Sequence, residues 1–159
     1  MPRQKITTFL WFDNQAEEAA QLYTSIFADS RIVEVTRYGE GGPGPKGTAM
    51  TVVYELAGQQ FIALNGGPQF KFTEAISLQI SCGDQQEVDD LWSKLSTGGE
   101  EGPCGWLKDK YGLSWQVVPT ALPRLLRDPD PKKAQRVMEA MMKMKKIDIA
   151  ELERAASGA

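Results

Sequence analysis

Polar groups that could bind a small molecule alternate with apolar residues in the stretch 75–82. Ser77 and Gln79 alternate there with Leu78 and Ile80. A period of two predicts a strand with one polar and one apolar face. The polar face either points to solvent or looks into a cavity enclosed by a curled sheet. We prefer the cavity, because this stretch repeats the opening of the chain.

The 159 residues include no histidine, which limits the chemistry available. Ser-His-Asp and Cys-His activation of a nucleophile is excluded. The commonest ligand of zinc, nickel and iron is also missing. Cys104, beside Lys108 and Lys110 in a glycine-rich turn, is either a reactive thiol or a small apolar packing group. Asp109 and Lys108 are expected to form a solvated pair.

Composition indicates an ordinary soluble globular protein, with 42% hydrophobic and 25% charged residues. A net charge of −3 predicts no attraction to nucleic acid or to an anionic membrane. The apolar run after the polar N-terminus is too short for a signal peptide or a membrane span. The only two cysteines, Cys82 and Cys104, are therefore expected as free thiols in the cytoplasm.

Two internal sequence repeats predict a duplicated architecture. A shift of 69 positions places Thr8 on Ser77 and Glu18 on Glu87, and a shift of 54 places 58–64 on 112–118. Similarity over such a length indicates two structural copies with a shared core. The first copy is expected to hold strands over 6–12, 31–38, 49–56 and 59–64, with a helix over 16–27 capped by Asp13 or Asn14. The second is expected to hold a strand over 75–81, a helix over 85–95, and strands near Trp106 and over 113–118.

Two further segments carry local signals. Residues 39–44 match the pattern G-x-G-x-x-G, but prolines and a strand follow, so we predict a hairpin loop and no dinucleotide site. In 120–159 the prolines break the pattern, and Asp130 and Asp148 are expected to cap two helices. A stripe of Val137, Met141 and Met144 would dock on the chain itself or on a partner.

Several motifs together resemble one superfamily. They are Phe9-Leu10-Trp11-Phe12-Asp13, Leu64-Asn65-Gly66-Gly67-Pro68, Cys104-Gly105-Trp106-Leu107-Lys108-Asp109 and Asp128-Pro129-Asp130-Pro131. The chain is similar to the vicinal oxygen chelate superfamily of glyoxalases, extradiol dioxygenases and antibiotic resistance proteins, and within it to the PhnB-like group, labelled 3-demethylubiquinone-9 3-methyltransferase-like.

The resemblance implies an α+β fold of two tandem βαβββ modules that form cupped mixed sheets. The modules would span about 1–68 and 69–120 as one domain, followed by a C-terminal helical extension over 121–159. Members usually pair, so the resemblance implies a homodimer. Carried over by register, the metal-ligand positions of the family fall on Thr8, Ser77, Ile62 and Gln116. None is a strong ligand, so no metal and no cofactor are expected.

The ligand would lie on the inner faces of the cups. This face mixes apolar walls with neutral hydrogen-bonding groups, and ten residues are assigned to it: Thr8, Leu10, Phe12, Gln60, Ile62, Leu64, Ser77, Gln79, Ser114 and Gln116. The helix-facing set is Phe9, Trp11, Phe61, Ala63, Leu78, Ile80, Trp115 and Val117. We expect metal-independent binding of a small organic molecule, although a cavity filled by water or by side chains fits the pattern nearly as well.

The alternative is an enzyme of the glyoxalase, dioxygenase or methyltransferase-like type with a non-standard site. Methyl transfer from S-adenosylmethionine usually needs a glycine-rich turn after the first strand. The turn here, 13–17, contains no glycine. A third hypothesis is an interaction module that acts through the C-terminal helices.

Overall fold

The computed structural model divides into two compact units, Met1–Phe72 and Thr73–Ala159, of which residues 4–158 are described. The first unit contains one helix and one four-stranded sheet. Its elements are β1 (Thr8–Phe12), α1 (Ala16–Ile26), β2 (Arg31–Arg37), β3 (Ala49–Leu56) and β4 (Gln59–Asn65). The strand order is β1-β4-β3-β2, with β1 parallel to β4 and the other pairs antiparallel.

The second unit repeats this arrangement and continues into three helices. Its elements are β5 (Ser77–Cys82), α2 (Gln85–Ser96), β6 (Glu100–Glu101), β7 (Trp106–Lys108), β8 (Ser114–Pro119), α3 (Ala121–Leu126), α4 (Pro131–Met142) and α5 (Ile149–Ser157). The strand order is β5-β8-β7-β6, again with one parallel pair. The α+β prediction of two βαβββ modules with C-terminal helices is confirmed. The finer division into 1–120 and 121–159 stays a prediction.

In the first unit, α1 packs on one face of the sheet through small residues and Tyr23. The ring centroid of Tyr23 lies 6.4 Å from that of Tyr54, which stacks on Phe61 at 5.6 Å. Leu10 and Phe12 on β1 are only 5% and 3% exposed. Burial of these aromatic and aliphatic groups is the main stabilising contribution of this core.

The register of β1 corrects the predicted faces of this strand. Leu10 pairs with Ala63, and Phe9 pairs with Ile62. Register partners in adjacent parallel strands point to the same face of a sheet. Leu10 therefore shares the helix face with Ala63, whereas Phe9, which is 55% exposed, shares the opposite face with Ile62. The prediction that placed Phe9 and Trp11 towards the helix was wrong.

A turn of different length explains the error. Three residues, 13–15, join β1 to α1, but only two, 83–84, join β5 to α2. The shift of 69 is therefore correct for the helices, which begin at Ala16 and Gln85, and is one residue out for the first strands. A slip of one residue moves every side chain of a strand to the other face.

Two of the three predicted helix caps, Asp130 and Asp148, are confirmed, and Asp84 caps α2 although no cap was predicted there. Asp84, Asp130 and Asp148 each accept a hydrogen bond from a backbone N–H of the first turn of their helix. Neither Asp13 nor Asn14 caps α1, so that prediction was wrong. Asn65, at the end of β4, instead accepts a hydrogen bond of 2.8 Å from the N–H of Ala16 through Oδ1.

The C-terminal helices form a small core of their own in the second unit. Leu122, Val137, Ile147 and Leu152 are buried together, and Met141 and Met144 pack against them. The predicted stripe thus docks on this unit, in agreement with the first of its two interpretations. The helix α3 was not predicted, because Pro123 lies within it. Proline is tolerated there, since N–H groups of a first helical turn have no partner inside the helix.

The glycine-rich segment lies between β2 and β3, which are antiparallel neighbours. The predicted hairpin connection is therefore confirmed, and no helix follows the glycines. No helix formed by residues 4–158 is long and apolar enough to cross a membrane.

Candidate ligand-binding site

The polar face of the second sheet carries a short hydrogen-bonded chain of neutral side chains. Gln116 donates through Nε2 to the hydroxyl of Ser77 at 2.9 Å. Gln79 donates through Nε2 to Oε1 of Gln116 at 3.4 Å, a longer and weaker bond. An amide has two donors and a two-lone-pair acceptor, so these two bonds leave binding capacity on both glutamines.

The register places four of the predicted site residues on this polar face. Ser77 pairs with Ser114, and Gln79 pairs with Gln116. Their shared face, opposite the face that buries Trp115 and Val117 towards α2, is confirmed as predicted. The sequence pattern thus correctly located one polar surface in the second unit.

A cavity of about 300 Å³ adjoins the two glutamines, and we call it the amide cavity. One wall is the polar face of the sheet, and the other is formed by α3 and α4. None of its lining residues carries a charged side chain: Gln79, Ser81, Cys104, Trp106, Gln116, Val118, Pro119, Thr120, Leu122, Pro123, Leu126 and Met141. Apolar walls with a few neutral hydrogen-bonding groups suit an uncharged ligand.

A second cavity, of about 520 Å³, begins on the same face, and we call it the serine cavity. Its lining includes Ser114, which is 1% exposed. The Ser114 hydroxyl has no hydrogen-bond partner within the described residues 4–158. Lys108, the register partner of Ser114, forms an ion pair with Glu74 at this cavity. The hydrogen bond and the charge of Lys108 lower the pKa of Glu74, and Glu74 likewise raises the pKa of Lys108.

Cys104 lines both cavities from the turn before β7. Its φ of 59° lies in the left-handed region, which is uncommon for a residue with a Cβ. The N–H groups of Cys104 and Gly105 donate to the carbonyls of Met144 and Lys145, each at 2.8 Å, and hold the turn in place. The other thiol, Cys82, is fully buried, and burial raises its pKa from 9.0 to about 12. Both cysteines are free, as predicted.

Asp109 is not the solvated residue that was expected. It is 2% exposed, and its Oδ2 accepts a hydrogen bond of 2.9 Å from the indole N–H of Trp115. Its Oδ1 accepts from the N–H groups of Tyr111 and Leu113. The carboxylate therefore organises the turn from β7 to β8 and orients Trp115 on the helix face. The ion-pair partner of Lys108 is Glu74.

In the first unit the structure separates the predicted residues into two groups. Gln60, Ile62 and Leu64 lie on the face opposite α1, as predicted. The register places Thr8, Leu10 and Phe12 on the helix face, and Leu10 and Phe12 belong to the core. These three residues cannot line a pocket with Ile62, because they project from the other side of the sheet. Their assignment to the ligand pocket is corrected.

The sequence prediction also missed several residues that line the amide cavity. Val118 follows Gln116 at the strand period of two, so that signal was available. Trp106 lies opposite Gln116 in the register of β7, a pairing that no local pattern specifies. The helices α3 and α4 contribute Leu122, Leu126 and Met141 to the cavity lining. Their role depends on how these helices pack against the strands.

The donor set does not fit a tightly held metal ion. Thr8 and Ile62 project from opposite faces of the first sheet, so they cannot share an ion. In the second unit, Ser77 and Gln116 offer neutral oxygens and already bond to each other. Residues 4–158 contain no cluster of three or more Asp, Glu or Cys side chains suited to metal binding. Soft divalent ions prefer thiolate, imidazole or carboxylate ligands.

Comparison with known proteins then shows the family. A family model described as 3-demethylubiquinone-9 3-methyltransferase matches residues 4–118. The chain belongs to this family. A solved PhnB protein from Bacillus cereus, which bears the same methyltransferase name, is 41% identical with a TM-score of 0.68. That match covers 74% of this chain and 100% of the other. No curated protein matches the chain.

More distant solved structures share the fold of this PhnB-like protein. A Pseudomonas aeruginosa protein is 18% identical with a TM-score of 0.62, covering 74% of this chain and 98% of the other. A fosfomycin resistance protein from Listeria monocytogenes is 15% identical with a TM-score of 0.50, covering 75% of this chain and 94% of the other.

The segment that matches the PhnB-like family model stops short of the C-terminal helices. The model ends at residue 118, and α3 begins at Ala121. The strands that present Gln79 and Gln116 thus lie within the matched segment. The helices that form the apolar wall of the amide cavity lie outside it.

Proposed function

We propose that this protein binds a small, mostly uncharged organic molecule without a metal ion, in the amide cavity. The observation that carries the proposal is the pair of hydrogen-bonded glutamines, Gln79 and Gln116, at a cavity with no charged lining residue. An ion placed there would lose hydration without gaining a counter-charge. A neutral ligand would exchange hydrogen bonds with the amides and bury its apolar part against Trp106, Leu122 and Met141.

A matched pair of probes tests the preference for neutral ligands. We expect saturation-transfer NMR to show binding of 4-hydroxybenzamide and at least about tenfold weaker binding of 4-hydroxybenzoate, since a buried unpaired charge is costly. The neutral probe should bind equally well with EDTA or with added manganese. The variant Gln116→Leu should weaken its binding, whereas Gln86→Leu, at an exposed position of α2, should not.

Two results would overturn the proposal. The first is equal binding of the charged and neutral probes, or of neither. The second is native mass spectrometry that finds a tightly held divalent ion required for binding.

The second candidate is a methyltransferase-like enzyme, which the family description favours. The N-terminus of α1 gives it little support, because the side chain of Asn65 already accepts from the N–H of Ala16. Calorimetric titration with S-adenosylmethionine separates the two functions. Saturable heat of S-adenosylmethionine binding would favour the methyltransferase-like enzyme. Absence of such heat would favour the binding protein. Glyoxalase- or dioxygenase-like turnover would instead depend on an added metal.

The proposed binding protein acts as a homodimer in the cytoplasm. Light scattering on the full chain tests the first point and should give twice the mass of one chain. A cytoplasmic location is supported by the two free thiols, which are uncommon in oxidising compartments. Fractionation of the producing cells would test it.

A further inference from the structure

The serine cavity contains a buried hydroxyl that lacks a hydrogen-bond partner in the described part of the chain. Ser114 is 1% exposed and projects from the polar face of the second sheet. Buried polar groups almost always find partners, and an unpaired one destabilises the fold. Ser114 lines a cavity of about 520 Å³, a volume within the usual range of small-molecule sites. A ligand that accepts a hydrogen bond would satisfy this hydroxyl.

A nucleophilic side chain lines the same cavity. Cys104 is partly exposed and is held at a φ of 59° by backbone hydrogen bonds of its turn to Met144 and Lys145. Left-handed conformations of residues with a Cβ persist where the surrounding structure enforces them, and they cluster at functional sites. These bonds fix the backbone of Cys104 in the cavity wall, and its Sγ lies 3.9 Å from Sδ of Met142. Cys82, in contrast, is fully buried and lines neither cavity.

The remaining lining residues indicate the character of the ligand. Trp106 and Pro103 provide flat apolar surface, and the ion pair between Lys108 and Glu74 lies beside it. A small molecule with an apolar skeleton and a carbonyl group would contact the first two residues. Its carbonyl oxygen would accept from Ser114, which suits the donor capacity of a serine hydroxyl.

We propose that the serine cavity binds a small α,β-unsaturated carbonyl compound, with Ser114 donating to the carbonyl oxygen and the Cys104 thiol adding to the β-carbon. The sulfur–carbon bond forms as the carbon–carbon π bond breaks, and the electron pair moves onto the carbonyl oxygen as an enolate. The thiol proton ends on the α-carbon, so the addition needs no oxidant or reductant. This site goes beyond the proposed neutral-ligand site, because it uses Ser114, which lines only the serine cavity, whereas Cys104 and Trp106 line both cavities.

The test is alkylation of the full-length protein by 2-cyclohexen-1-one, followed by intact mass and peptide mapping. We expect one adduct, on Cys104, with a rate that saturates as the probe concentration rises. Saturation indicates a complex before bond formation, whereas an accessible thiol without a site gives a linear dependence. Cyclohexanone, which has the carbonyl but no alkene, should slow the reaction by competition. The variant Cys104→Ser should remove the adduct, and Cys82→Ser should leave it unchanged.

Ser114→Ala separates recognition from simple thiol exposure. Loss of one hydrogen bond should lower the second-order rate with 2-cyclohexen-1-one by roughly fivefold to tenfold. The rate with methyl methanethiosulfonate, which has no carbonyl group, should not change. A linear concentration dependence, an equal loss of rate with both reagents, or preferential labelling of Cys82 would overturn the proposal. Gln116→Leu should leave this reaction intact, so failure of the neutral-ligand site is distinguishable.

Discussion

Gln116 on β8 and Ser77 on β5 are joined by a hydrogen bond of 2.9 Å across neighbouring parallel strands. The bond fixes the glutamine amide on the polar face of the second sheet, beside Gln79. Since the cavity that adjoins the two glutamines has no charged lining residue, the orientation of this neutral amide would decide which ligand groups the proposed site could bind.

Replacing this amide by a carboxylate should therefore weaken binding of the neutral ligand. In Gln116→Glu the donor to Ser77 is lost and a charge enters the uncharged cavity. We expect binding of 4-hydroxybenzamide to fall about tenfold, because the carboxylate has no N–H to donate to the ligand and its charge has no counter-charge among the lining residues. Calorimetric titration measures the change, and Gln86→Glu on exposed α2 surface is the control. Unchanged affinity in Gln116→Glu would place the ligand elsewhere.

Much of the fold was predictable because its signals are local. Alternation in 75–82 and the periodic apolar residues of 85–95 specify β5 and α2 without reference to distant residues. Asp130 and Asp148 marked the starts of α4 and α5 by the chemistry of their side chains. The polar face of the second sheet followed from the same alternation, and its four predicted residues do share that face.

The rest depended on tertiary relationships. The faces predicted for β1 were wrong because one extra residue in the turn 13–15 shifts the register relative to the second unit. Composition did not reveal the error, since both faces of β1 contain large apolar residues. Burial of Leu10 and exposure of Phe9 are decided by packing on α1 and not by composition. The residues that line the cavities could not all be predicted from the sequence either. Strand pairing places Trp106 at the amide cavity, and Leu122 lines the same cavity from a short helix that contains a proline.

Asp109→Asn should destabilise the second unit. The carboxylate accepts from two backbone N–H groups and from the indole of Trp115, whereas an asparagine would present an amide donor to one of these donors. Charge-assisted bonds would also be weakened, so we expect a loss of about 2 kcal/mol in the free energy of unfolding. Urea denaturation measures it. Asp90→Asn, on exposed surface of α2, should change little. Equal effects of the two variants would contradict the assigned role.

Gln85 connects α2 to the loop between α4 and α5 and should be a second sensitive position. Its Nε2 donates to the carbonyl of Ile147 at 2.9 Å, and its Oε1 accepts from the N–H of Ile149 at 2.8 Å. Gln85→Ala removes these two bonds and the bond from Nε2 to Oδ1 of Asp89, and it should cost about 2 kcal/mol in unfolding free energy. The adjacent, exposed Gln86→Ala serves as the control. Hydrogen exchange should also increase at Ile149 in Gln85→Ala. Normal protection there would show that α5 is held by other contacts.

The raised pKa of the buried Cys82 thiol predicts a loss of stability at alkaline pH. Burial raises the pKa of its thiol from 9.0 to about 12, so the folded state retains a proton that the unfolded state releases. Stability from this group is complete below about pH 9 and is lost as pH rises towards 12, with a limiting slope of about 1.4 kcal/mol per pH unit. The unfolding free energy of wild type and Cys82→Ala should therefore converge over this range. A constant difference between them would show that the thiol does not titrate there.

Ser114→Ala tests whether the buried hydroxyl lacks a hydrogen-bond partner when no ligand is bound. In the protein without ligand, this variant removes a buried polar atom that has no partner within the described residues. The free energy of unfolding should stay equal or rise by about 1 kcal/mol, because the desolvation penalty of the unpaired group disappears. Ser81→Ala, on exposed surface of the same polar face, is the matched control and should have no effect. A clear destabilisation confined to Ser114→Ala would mean that the hydroxyl is already satisfied in solution, and a binding role for it would then lose its physical basis.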